Sequence, residues 1–150
     1  MRKISGERGS GYQVLIVVSQ WNELVCERLL AGALEELEGN DVTVLSVPGT
    51  WELPLAIEKY LDHADSADCV VALGCIMEGQ TRHAELLGKE VTGSLMAIQL
   101  QRQIPVGYGI ITANTAEDAL DRAGMKMGNK GREAANAALE MVSLLKQIST

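Results

Sequence analysis

Ala72-Leu73-Gly74-Cys75-Ile76-Met77-Glu78-Gly79-Gln80-Thr81-Arg82-His83 is the stretch around which the chain is organised. An apolar run from Asp68 to Leu73 leads into it and a helical pattern leaves it. The spacing predicts a strand that ends in a glycine-bracketed loop and turns into a helix, whose first N–H groups have no intrahelical partners. Thr81 is placed to cap that helix, and the aligned peptide dipoles favour an anion beside it. His83 falls in the first turn of the same helix, where it can exchange protons near neutral pH. Taken alone, the segment reads more simply as an ordinary strand–turn–helix with a surface histidine.

Upstream, Gln13 to Val18 is a continuous aliphatic run, the mark of a strand buried on both faces. After Ser19-Gln20-Trp21, apolar residues recur at helical spacing at Cys26, Leu30, Ala33, Leu34 and Leu37, and Gly39-Asn40 stops that helix. Val42 to Val47 is a second strand ending at Pro48-Gly49, followed by a helix over about Trp51 to Leu61 with Pro54 in its first turn. Cys69 to Leu73 is the third strand. Downstream, a helix from Arg82 to Gln101 carries two stripes: Leu87, Val91, Ser94, Leu95 and Ile98, then Leu86, Gly93, Ala97 and Leu100. One stripe suffices for a core, so the second suggests packing on another subunit. Pro105 to Ile111 is the fourth strand, Thr115 caps a helix that Gly124 ends, and a last helix starts near Asn129. Residues 1 to 12, polar and glycine-rich, are a loose tail or an edge strand in need of a neighbour. Alternating strands and helices give an α/β three-layer sandwich around a four-stranded parallel sheet, one domain over residues 1–150 with no linker or repeat.

Composition narrows the function. A net charge of −7 argues against nucleic acid, and no apolar run reaches the length of a membrane span. Cys26, Cys69 and Cys75 lack CxxC spacing and sit in or beside apolar runs, so they read as buried free thiols in a reducing compartment. No secretory h-region follows the basic start, and the chain reads as cytoplasmic. His63, read as a solvated loop residue, and His83 are too few for a zinc site.

Parallel sheets bind ligands at the carboxyl ends of their strands. The four expected exits are Ser19 to Asn22, Pro48 to Glu52, Gly74 to His83 and Thr112 to Thr115. The chain has two tryptophans, three tyrosines and no phenylalanine, yet both tryptophans, Trp21 and Trp51, fall at exits. That suggests a stacking surface for a flat ring; capping of the sheet's end is the alternative for each singly. Glu52 is suited to accept hydrogen bonds from a ring, or to serve as a dipole partner in a first helical turn. Glu78 reads as a ligand contact or a solvated charge. Arg122 and Lys130 flank a two-glycine turn and would complete an anion site or partner helix ends. There is no Walker loop, GxGxxG or GxSxG, and Gly107-Tyr108-Gly109 inside a strand carries no dinucleotide signal.

Together these exits resemble the lumazine synthase family, nearly end to end from Val14 to Leu145. Four ordered segments carry the resemblance: Trp21-Asn22, Val47-Pro48-Gly49-Thr50-Trp51-Glu52-Leu53-Pro54, Ala72 through His83, and Arg122-Ala123-Gly124-Met125-Lys126-Met127-Gly128-Asn129-Lys130-Gly131. The resemblance implies a flavodoxin-like strand order 2-1-3-4. It also implies condensation of 5-amino-6-ribitylaminouracil with 3,4-dihydroxy-2-butanone 4-phosphate, releasing phosphate and water, in the penultimate step of riboflavin synthesis. On that basis Trp21 stacks on the pyrimidine, while Asn22, Thr50, Trp51, Glu52, Ile76, Met77 and Glu78 surround the ring and ribityl chain. Gly79-Gln80-Thr81 seats the phosphate and His83 transfers protons. A neighbouring subunit lends Arg122 to the phosphate, Tyr108 as an aromatic wall and Lys130 as a nearby cation. The resemblance implies no cofactor and no metal, a homo-oligomer of pentamers that closes into an icosahedral shell, and riboflavin synthase as a candidate partner.

Three positions depart from the family's pattern: Trp21 where phenylalanine is commoner, Glu78 for a frequent arginine, and Ala84 where an aromatic is common. Two other α/β readings fit worse. Ser19-Gln20-Trp21-Asn22 is no flavin phosphate loop, and a phospho-receiver's aspartate is missing where Gly74-Cys75 stand. The stronger rival is a relative that kept the fold and lost turnover; Glu78 favours it, while Thr81, His83 and Arg122 speak against it.

Overall fold

The computed structural model describes residues 1–63, 67–79 and 82–149. In chain order the elements are β1 (Gln13–Ser19), α1 (Glu23–Glu36), β2 (Asp41–Val47), a 3-10 turn (Thr50–Glu52), α2 (Leu53–His63), β3 (Cys69–Met77), α3 (His83–Arg102), β4 (Val106–Ala113), α4 (Ala116–Asp121) and α5 (Lys130–Ser149). The four strands are all parallel and ordered β2-β1-β3-β4. This is the architecture and strand order expected from the sequence.

Alternation along the strands builds two cores. Val14, Ile16 and Val18 face α1 and α5 with Val71 and Leu73. Leu15 and Val17 face α2 and α3 with Val70, Ala72, Leu53, Ile57, Val91 and Leu95. β1 and β3 are central and buried on both sides, which is why they read as unbroken aliphatic runs. β2 is an edge strand and mostly exposed or half-buried. At the other edge, a Cβ on Gly107 would collide with the Ala134 carbonyl, so this glycine lets α5 lie directly on β4. All three cysteines are free and buried. Thr115 Oγ1 accepts the Asp118 N–H at 3.1 Å, capping α4 as expected, and Gly124 follows at φ 109°.

The structure corrects several boundaries. β3 does not end at Leu73 but runs to Met77, so Gly74, Cys75 and Ile76 are strand, not loop. The strand continues because Gly74 through Met77 pair with Ile110 through Ala113 of β4 after β1 has turned away. A side chain at position 74 would meet Thr50 Cγ2 at 2.5 Å, so the glycine admits the 3-10 turn rather than starting a loop. β4 likewise extends through Thr112 and Ala113, beginning at Val106. Trp51 belongs to the 3-10 turn and α2 starts at Leu53. His63 is the last residue of α2, its Nδ1 3.2 Å from the Lys59 carbonyl oxygen, rather than a loop residue. The N-terminal residues join no sheet: the Glu7 N–H donates to Ser143 Oγ at 3.1 Å and Gln147 Nε2 to the Ser5 carbonyl at 2.9 Å, a strap along α5.

On α3, Val91, Leu95 and Ile98 are buried and Leu87 and Ser94 half-buried, as the first stripe requires. The second stripe leaves Leu86 and Leu100 each 61% exposed, with Met96 beside them at 51%.

Candidate active site

A cavity of about 540 Å³ opens at the carboxyl ends of β1, β2 and β3. Trp21 and Asn22 after β1, Thr50, Trp51 and Glu52 after β2, Ile76 and Met77 in β3, and His83 at the start of α3 all line it. Eight of the residues singled out in the sequence therefore meet in one place. The parallel register is the cause, because it delivers consecutive strand exits to the same edge of the sheet. Trp21 is 73% exposed and Trp51 64%, so neither indole is buried as a core side chain. Large aromatic faces left open at a cavity mouth are suited to a flat ligand.

Each wall has a local cause. Past the end of β1 the ladder to β2 persists for two more bonds, Gln20 N–H to Val47 O at 2.8 Å and Trp21 N–H to Pro48 O at 3.2 Å. Asn22 Nδ2 donates to the Cys75 carbonyl oxygen at 3.0 Å. The Glu52 N–H donates to the Gly49 carbonyl at 3.2 Å, closing the turn that presents Trp51. Thr50 is buried against Gly74, and beside it Ser19 is buried with its Oγ lacking a hydrogen-bond partner.

Pro48, Gly49, Cys75, Ala84 and Leu87 also line the cavity but were not among the sequence's site residues. Leu87 was findable, since it lies four positions after His83 on the same helical face, and Ala84 follows His83 directly. Cys75 was hidden by the assignment of its segment to a loop. Burial pushes the Cys75 thiol up to about 11, and the Cys26 and Cys69 thiols to about 12, with Cys75 adding to the shift of Cys26. All three are protonated near neutrality and are poor nucleophiles.

The remaining sequence-derived residues lie elsewhere. Glu78 and Gly79 are exposed beyond β3, the Glu78 N–H donating to the Ala113 carbonyl at 2.8 Å. Gln80 and Thr81, with the expected helix cap, lie outside the described residues. Tyr108, Arg122 and Lys130 do not line the cavity. Tyr108, 38% exposed on β4, has its hydroxyl 3.0 Å from Thr92 Oγ1 and the Lys130 ammonium 5.6 Å from its ring centre. Arg122 is exposed just beyond α4, and its carbonyl accepts the Lys130 N–H at 2.8 Å. Among the described residues no group of three or more His, Cys, Asp or Glu side chains is arranged to hold a metal ion. No helix there is long and apolar enough to cross a membrane.

This cavity sits in a chain whose residues 11–146 match the family model described as 6,7-dimethyl-8-ribityllumazine synthase. The chain belongs to that family. Two relatives of that name make the same point. The protein from Syntrophus aciditrophicus (strain SB) is 42% identical over 143 residues, covering 92% of each chain. The one from Kosmotoga olearia (strain ATCC BAA-1733 / DSM 21960 / TBF 19.5.1) is 41% identical over 145 residues, covering 93% of this chain and 92% of the relative. Lumazine synthases are transferases of riboflavin biosynthesis, and membership places this chain among them.

Proposed function

We propose that the cavity condenses 5-amino-6-ribitylaminouracil with 3,4-dihydroxy-2-butanone 4-phosphate, releasing phosphate and water. The observation that supports this most directly is one cavity, in a chain of this family, lined by both strand-exit tryptophans, Glu52 and His83. In this reading Trp21 stacks on the pyrimidine. Asn22, Thr50, Trp51, Glu52, Ile76 and Met77 surround the ring and ribityl chain, with Glu78 at the chain's outer end. Gly79-Gln80-Thr81 seats the phosphate. Imine formation and phosphate elimination need two reactants held in register and one modest acid/base group. Proximity and orientation supply most of the acceleration, and His83 relays protons for a smaller share. The chemistry calls for no cofactor.

Arg122, Tyr108 and Lys130 enter this scheme from an adjacent copy of the chain. The exposed Leu86 and Leu100 of the second stripe, with Met96 also exposed on α3, support such packing, since burying large apolar side chains against a neighbour is favourable in water. We read the assembly as a pentamer of single-domain subunits in the cytoplasm, closing into an icosahedral shell with riboflavin synthase as a candidate partner. The rival is a relative that binds without turnover, favoured by the carboxylate of Glu78.

Mixing the two substrates with the protein tests the reading. Product should appear through its own absorbance and fluorescence; tight pyrimidine binding without product establishes the non-catalytic rival. Light scattering showing a monomer defeats the subunit scheme, and a lone pentamer defeats only the shell.

A further inference from the structure

Asn22 lies on the cavity wall in a left-handed backbone conformation, φ 61° and ψ 52°. Among the described residues only Gln103 shares a positive φ without being glycine. Asparagine tolerates this region better than most side chains, but the position still carries strain. Asn22 precedes α1, where asparagine usually accepts a helix N–H, yet its side chain makes no cap bond. Its Nδ2 instead donates to the Cys75 carbonyl oxygen at 3.0 Å. β1 pairs with β3 only as far as Val18 with Leu73, whereas β3 runs on to Met77 beside β4. The β1-facing edge of β3 has therefore lost its strand partner at Cys75, and the amide takes up the exposed carbonyl.

Trp21 is held by the same connection. Its N–H donates to the Pro48 carbonyl, and its own carbonyl accepts from Cys26 Sγ at 3.3 Å. The next carbonyl, that of Asn22, accepts the Cys26 N–H at 3.0 Å. With 73% of Trp21 exposed, side-chain packing does little to aim the indole, and the backbone at positions 21 and 22 does most of it.

We propose that Asn22 is a positioning residue, its left-handed backbone and cross-strand amide bond together holding the Trp21 indole at the cavity mouth. The proposal rests on the reading of Trp21 as the ring-stacking wall. The test uses a Trp51→Phe background, which leaves Trp21 as the sole emitting tryptophan of the two in the chain. Asn22→Gly keeps the left-handed backbone without steric cost and removes the amide. Asn22→Asp keeps the side-chain shape but lacks the donor and sets a carboxylate against a carbonyl. In both variants the fluorescence anisotropy of unliganded Trp21 should fall. KM for the pyrimidine should rise about tenfold, the loss of one well-made hydrogen bond, and by more than kcat falls. Unchanged anisotropy in folded Asn22→Gly and Asn22→Asp overturns the proposal. A loss of kcat at constant KM overturns it too, by placing Asn22 on the reacting atoms. Lower anisotropy with unchanged KM upholds the positioning and overturns the stacking role of Trp21 instead. The anisotropy arm needs no substrate, so it stands or falls independently of the proposed reaction.

Discussion

At the carboxyl ends of β1 to β3 the chain gathers two tryptophans, a carboxylate and a histidine around one cavity. Along the outer edge of β4 it sets Tyr108 beneath the Lys130 ammonium, with Arg122 exposed next to them. The first region has aromatic walls, a histidine and room for a ring, but no lysine or arginine among its described lining residues. The second has two cations and an aromatic face. A phosphate ester calls for both kinds of surface. Their separation on one chain is the reason the proposed reaction invokes a cyclic arrangement of copies, in which a head-to-tail contact would set the edge of one subunit against the cavity of the next.

The sharpest way to break this comparison is complementation. His83→Ala alone should lower turnover by about 10²-fold, the low end of general acid–base effects, because positioning remains. Arg122→Ala should also be impaired. Co-expressed equally, the two chains form mixed rings in which roughly a quarter of heterologous interfaces pair an intact His83 with an intact Arg122. Steady-state turnover should recover toward that fraction of wild type. Verified mixed rings no more active than the mean of the parents would put Arg122 back in its own subunit.

A second measurement probes the cavity side alone. Trp21→Ala should weaken pyrimidine binding by roughly 1–3 kcal/mol, the range for aromatic stacking on a base, while Trp21→Phe binds nearly normally. Titration calorimetry reads this directly. Equal affinity in wild type and the alanine variant would leave Trp21 as a cap on the sheet.

A third measurement, outside the substrate chemistry, concerns the thiols behind the cavity. Burial holds Cys75 near 11 and Cys26 near 12, above the ordinary value of 9.0. Between pH 9 and those values the unfolded chain releases protons that the folded chain keeps, so stability falls as pH rises. Each thiol contributes at most about 1.4 kcal/mol per pH unit in that window and nothing below it. Melting temperature should decline above about pH 9, and less steeply in Cys75→Ala. A flat profile to pH 11 in the wild type would mean that burial does not hold the thiols protonated.

The two regions were not equally legible in the sequence. The cavity side was, because strand exits are marked locally: aliphatic runs end, and Trp21, Pro48-Gly49 and His83 follow at once. β3 was misjudged at its far end, since a glycine in a strand looks like a loop until the 3-10 turn packed against Gly74 is seen. The N-terminal strap was also out of reach, because its partners Ser143 and Gln147 are more than a hundred positions away.

What the sequence determined by itself was the order and kind of the elements, the parallel sheet and the membership of its strand exits in one family's pattern. The elements follow from period, capping and turn chemistry, which act over a few residues, while the family pattern was read by resemblance. Only the tertiary structure decided how far β3 and β4 run, that Asn22 turns its amide to Cys75, and that Tyr108 and Lys130 meet each other outside the cavity's lining. Each of those depends on a partner distant along the chain, and neither side chain carries a mark of the other until folding brings them together.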